Sequence, residues 1–188
     1  DVLPDKKWLF NMYNSMIQNK SHLCGGLLIE KYLKSNRYNY WRTIHIMHRF
    51  KEKIIPDVQS FITGSNMLLN KSAWTKVGGY DEQFRTNGED VHFCIKLRVD
   101  GFKISYDSEA YCYHLQNDNL QSLLNRCWRY YVSGTGLKKP TYKRLILRSI
   151  KHFKYCLINS CKDLINLRFS IIDINFRVFF NYIKMEYN

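Results

Sequence analysis

No uninterrupted apolar run in these 188 residues approaches the roughly twenty needed to cross a bilayer, so any membrane contact is expected from outside. No charged, apolar and small-residue succession resembling a signal peptide follows Asp1, and with Asp rather than Met in first place the chain is expected to be a processed or truncated piece. Cysteines are few and unpatterned. Cys24, Cys94, Cys112, Cys127, Cys156 and Cys161 form no C-x-x-C and no zinc-like pairing with histidine, which predicts buried, reduced thiols in a reducing, cytoplasmic compartment. No internal repeat is visible, and the length suits one compact domain, alone or with a helical appendage.

Acids are scarce as well: 16 Asp and Glu face 29 Lys and Arg, for a formal charge of +13. Such a surface suits polyanions, whether nucleotide phosphates, lipid pyrophosphates, an anionic membrane or nucleic acid. A coding bias toward Lys, Asn, Ile and Tyr would give the same excess.

The segment after Pro4, "DKKWLFNMYNSMIQNK", carries Trp8, Leu9, Met12 and Met16 at helical spacing, with Pro near its start. "HLCGGLLI" reads as a short buried strand. Residues 30–56 are basic and aromatic without a clean period, a variable excursion that is partly helical. "FITGSNMLLN" reads as a strand passing close to a ligand or another backbone. "KSAWTKV" supplies about two helical turns that Gly78 and Gly79 stop. A helix is predicted from about Glu89 to Val99, closed by Gly101. "FKISY" and "AYCYH" follow as two short strands split by "DSE", with Ala110, Cys112 and His114 on one face of the second. Beyond them lie three helical stretches, near 118–133, 140–160 and 163–185, broken at Gly134, Gly136 and Pro140.

One stretch combines several signals: "GGYDEQFRTNGEDVHFCIKLRVDGFKISY", residues 78–106. Thr86 and Glu89 have the S/T-x-x-E spacing of a capping box, and acids in a first helical turn favour the macrodipole. Capping by Glu89 leaves Asp90 free to point elsewhere.

The order running from "TGSN" through "VGGYDE" and the acid pair to "AYCYH", residues 63–114, resembles without a gap the C-terminal half of the catalytic domain in family-2 nucleotide-sugar glycosyltransferases of the GT-A fold. The resemblance implies an α/β fold, a partial GT-A-like mixed sheet flanked by helices over 1–115, followed by a helical C-terminal region over 116–188. It implies an inverting, metal-dependent glycosyltransferase, a hexosyltransferase, moving a sugar from a nucleotide-sugar donor to a glycan or lipid-linked acceptor in surface polysaccharide biosynthesis.

Carried onto this sequence, Asp90 is the second acid of the family's acid pair and the general base that takes the acceptor's proton. Glu89 would bind acceptor or hold the loop. Asn66 and Gly64 would line the sugar or acceptor pocket, and Arg126 and Arg129 would face the diphosphate. Asp1, as the last acid of the D-x-D motif, and His114 would hold Mn2+ or Mg2+, which would bridge the donor's diphosphate. In the family the nucleotide-binding half precedes D-x-D, so it would lie outside these residues. Gln121, Arg126 and Trp128 do not keep the Q-x-x-R-W spacing of processive synthases, which argues against that class.

Alternatives stay open beside each of these. His114 alone is equally a satisfied core or surface histidine, Asp1 an ordinary terminal residue, and "GSN" a bulge. Trp74 and Phe84 read as packing. The last helical stretch either packs on the catalytic domain or lies on an anionic membrane as a peripheral contact. For the whole chain, a non-catalytic basic module binding nucleic acid or anionic membrane, or an inactive glycosyltransferase remnant, are the competing readings. The glycosyltransferase reading expects no nucleic-acid partner.

Overall fold

The computed structural model describes residues 2–46, 62–84, 87–135 and 141–187. They fall into two compact units. The first takes the described residues up to 31 and from 62 to 116; the second takes 32–46 and 117–187.

The first unit is a four-stranded mixed sheet with helices on both faces, the α/β arrangement expected. Its strands are β1 (Val2–Pro4), β2 (Leu23–Glu30), β3 (Met67–Leu69) and β4 (Ile104–His114), in the order β1-β4-β2-β3. β4 runs parallel to β2 and antiparallel to β1, while β2 and β3 are antiparallel. Strand alternation decides what each residue packs against. Leu23 and Ile104 join Ala73, Val77, Phe93 and Leu97 from helices α3 (Lys71–Val77) and α4 (Glu89–Val99), whereas Cys24 and Ala110 pack with Met12 of α1 (Trp8–Asn19). A side chain at Gly26 would place its Cβ 1.8 Å from the Ala110 carbonyl oxygen, so only glycine lets β2 approach β4 there.

Several expectations need correction. Pro4 does not open a helix; it ends β1 opposite Cys112, on the sheet's edge, where a residue without an N–H can be accommodated. "FKISY" and "AYCYH" are one strand with an irregularity: Gly26 pairs with Asp107 and Leu28 with Cys112, so the polar "DSE" is a bulge rather than a break. "TGSN" is a turn before a three-residue strand, with the Asn66 N–H bonded to the Thr63 carbonyl at 3.1 Å. Phe61, at the head of that segment, lies outside the described residues. The helix over Glu89–Val99 and the stop at Gly78, which is left-handed, stand as expected.

The second unit is helical: α2 (Arg37–His45), α5 (Leu120–Thr135), α6 (Tyr142–Ile165) and α7 (Ile172–Tyr187), with a 3-10 turn at Phe169–Ile171. Gly134 sits inside α5 instead of ending it, and Gly136 and Pro140 lie outside the described residues. Trp41, Leu123, Cys127, Ile171, Ile174 and Val178 form its core. Five of the six cysteines are buried; Cys161 is exposed, contrary to expectation.

Candidate active site

The acid pair occupies the first turn of α4, at the surface of the first unit. Thr86 lies outside the described residues, and the helix begins later than a capping box requires. Its N-cap is Gly88, at φ 95 and without a side-chain cap, so Glu89 is the first helical residue rather than the third. A non-glycine residue would be strained at that φ. The loop therefore turns sharply into the helix and aims Asp90 by backbone geometry.

Asp90 faces the Thr63–Asn66 turn. The Gly64 N–H donates to Asp90 Oδ2 at 3.1 Å, and the Val91 N–H donates to Oδ1 at 2.8 Å. Two backbone donors thus fix the carboxylate's direction while it stays half-buried. A Cβ on Gly64 would lie 3.7 Å from Asp90 Cβ and 3.4 Å from the Tyr80 hydroxyl, in ordinary contact with both, so Gly64 stands between those two side chains. Glu89 is half-buried beside it.

Tyr80 was not singled out in the sequence, although it is the aromatic of "GGYDE". Its ring packs edge-on against Trp74 at 4.9 Å and Phe93 at 5.2 Å, which supports packing as Trp74's role. Burial, then the negative charges of Asp90 and Glu89, push its hydroxyl pKa up, so it is a donor here. Phe84 packs on His92 at 4.9 Å, again as turn packing.

Asn66 is fully buried, and its side-chain amide is engaged with the scaffold. Oδ1 accepts from Trp8 Nε1 at 2.7 Å and from the Cys112 thiol at 3.4 Å, while Nδ2 donates to the Leu27 carbonyl at 2.9 Å and more distantly to that of Ala110. It ties the Gly64 turn to α1, β2 and β4 rather than facing solvent.

His114 ends β4 opposite Glu30 at the end of β2, and its Nδ1 lies 2.6 Å from Glu30 Oε1. Glu30 was another residue that sequence reasoning passed over, hidden at the head of an aperiodic segment. An imidazole whose Nδ1–H is held by a carboxylate presents its Nε2 lone pair outward, the arrangement metal-ligating histidines have. In that respect His114 fits a metal ligand. Among the described residues no three His, Cys, Asp or Glu gather into a group that could hold a metal, at His114 or elsewhere; Asp1 lies outside them, and its neighbour Val2 pairs with His114.

Arg126 and Arg129 belong to the helical unit. Arg126 Nε lies 3.4 Å from Asp118 Oδ2, which also holds the fully buried Arg42 through Nη1 at 2.6 Å; Arg129 is exposed. Arg126 therefore has an internal acid partner.

The first unit thus holds a carboxylate aimed by a glycine turn and a helix start, in a mixed sheet whose neighbouring strands end in a Glu–His pair. Residues 9–172 match glycosyl transferase family group 2, and the chain belongs to that family. It is also similar to the rhamnosyltransferase WbbL of Escherichia coli (strain K12), at 27% identity over 86 residues, 45% of this chain and 33% of that protein. The match spans about a third of that relative's length.

Proposed function

We propose that this chain supplies the acceptor side and catalytic base of an inverting glycosyltransferase, with Asp90 as the base. The observation that carries the reading is the Gly64 N–H bond to Asp90 Oδ2 at 3.1 Å, with the Tyr80 hydroxyl on the other side of that glycine. The acceptor's hydroxyl gives its proton to the Asp90 carboxylate as its oxygen bonds to the anomeric carbon; the bond from that carbon to the diphosphate breaks, and a nucleoside diphosphate leaves. Backside displacement inverts the anomeric configuration. Tyr80, kept protonated, donates to a sugar or acceptor oxygen beside Asp90.

In this reading His114, oriented by Glu30, and Asp1 would hold Mn2+ or Mg2+. Bound there, the ion would neutralise charge on the leaving diphosphate. The donor is a hexosyl nucleotide sugar, and the relative's name makes a rhamnosyl donor the first to try. The acceptor is a glycan or lipid-linked glycan of surface polysaccharide biosynthesis, and the buried free thiols suit work in the cytoplasm.

Asp90→Asn in the complete protein tests this. Turnover is expected to fall about a hundredfold or more, with donor binding by calorimetry unchanged. Transfer at the parent rate would sink the assignment.

A further inference from the structure

α6 is amphipathic in the opposite sense to a helix packed inside a water-surrounded unit. Its inward stripe, Arg148, His152, Cys156, Ser160 and Asp163, is mostly polar. Those groups are engaged within the helical unit: Arg148 Nη1 lies 3.2 Å from Glu186 Oε2, the His152 ring stacks on Tyr182 at 4.4 Å, and Asp163 Oδ2 accepts from Asn175 Nδ2 at 2.9 Å. The orientation is therefore fixed by specific contacts.

The apolar stripe, Ile146, Ile150, Phe153, Leu157 and Leu164, is exposed at the same helical spacing. It continues onto α7 through the Phe153–Phe179 contact at 5.5 Å and the exposed Phe180. Alongside it stand Arg144, Lys151, Lys154 and Lys162, all exposed, while the helix's one acid, Asp163, is turned inward. An exposed apolar ridge flanked only by cations is the pattern of a helix lying in an anionic bilayer surface, with its apolar side chains below the headgroups and its lysines among them.

We propose that this outer face of α6, with the adjoining Phe180 of α7, docks on an anionic lipid bilayer without crossing it. No helix among the described residues is long and apolar enough to span one. Charge decides between occupants. A second copy would bring the same cations face to face across the contact, and nucleic acid would leave the apolar ridge in water. A bilayer containing acidic lipids satisfies both halves of the face. The docking face revises the sequence expectation, which placed membrane contact in the last helical stretch: α7 turns Ile174 and Val178 into the core, and α6 carries most of the exposed face.

The test is sedimentation of the chain with vesicles of phosphatidylcholine alone or mixed with phosphatidylglycerol. Binding to the anionic vesicles is expected to be at least about tenfold tighter and to weaken as salt is raised. Ile150→Asp with Leu157→Asp should abolish it while leaving the circular-dichroism melt unchanged, since both positions are exposed. Should that variant unfold, Lys151→Gln with Lys154→Gln keeps helix propensity and must still cut binding. Ile150→Trp should shift its emission to the blue on anionic vesicles. No binding, equal binding to neutral vesicles, a tryptophan that stays in water, or a self-association that Ile150→Asp breaks up would each overturn the proposal.

Discussion

Glu30 and His114 are register partners at the ends of two parallel strands, and Glu30 Oε1 sits 2.6 Å from His114 Nδ1. The carboxylate fixes the tautomer and the ring direction of a histidine that would otherwise swing at a strand end. If Nε2 ligates the metal, Glu30→Gln weakens binding without touching a ligand. Mn2+-dependent binding of a nucleoside diphosphate should fall by about ten- to a hundredfold in calorimetry, with the melting temperature little changed. Unchanged affinity would remove Glu30, and with it the case for His114, from the metal site.

Asn66 offers a different kind of test, because it joins the two ends of the proposed site without facing solvent. It lies two residues from Gly64, and its amide reaches Leu27 and Cys112, near the ends of the strands that carry Glu30 and His114. Asn66→Ala leaves the Trp8 indole and the Leu27 carbonyl without this partner in a buried setting. A loss of roughly 2–4 kcal/mol by urea denaturation is expected, since several buried polar groups lose their partner together. A loss under about 0.5 kcal/mol would show that the network is dispensable.

What the sequence disclosed, and what it concealed, divides by range. The Glu89–Val99 helix, the stop at Gly78 and the alternation in β4 were legible because each rests on local spacing. The place of Asp90 in the first turn of that helix was legible for the same reason. Glu30 and Asp118 were not, because each acquires its partner across the fold: Glu30 pairs across 84 residues of chain, and Asp118 meets Arg42 across 76. The inversion of α6 was equally hidden. Its period is plain in the letters, but which stripe faces inward depends on Glu186, Tyr182 and Asn175, far along the chain.

Burial of titratable groups in the helical unit predicts a stability plateau with two edges. Burial pushes the Cys127 thiol and the Tyr131 hydroxyl up to about 12, and burial also raises Tyr182. Groups whose folded pKa is raised contribute fully below their unfolded values, 9.0 for cysteine and 10.0 for tyrosine, and that contribution is lost as pH rises toward 12. On the acid side, burial lowers His45 and His152 below 6.5, so their contribution is present above that pH and lost as pH falls through their folded values. Melting temperature against pH should be highest between about 6.5 and 9 and fall on both sides. A flat profile to pH 11 would contradict the burial of these side chains.

Asp118 is where the helical unit is most exposed to a single change. Its carboxylate accepts from Arg42 Nη1 at 2.6 Å, with both side chains fully buried, from the Ser122 hydroxyl at 2.8 Å, and sits 3.4 Å from Arg126 Nε. Burial alone would raise its pKa, but the Ser122 hydroxyl and the charges of Arg126 and Arg42 outweigh that and hold it below the ordinary carboxylate range. Asp118→Asn keeps the shape and removes the charge opposite two guanidinium groups, one of them fully buried. A destabilisation of about 3–5 kcal/mol is expected, measured by chemical denaturation at pH 7. Arg126→Gln separates this structural role from the diphosphate contact the sequence suggested for it. If Arg126 serves Asp118 alone, the variant loses stability but keeps its affinity for a nucleoside diphosphate. A drop in that affinity at unchanged stability would return Arg126 to the substrate.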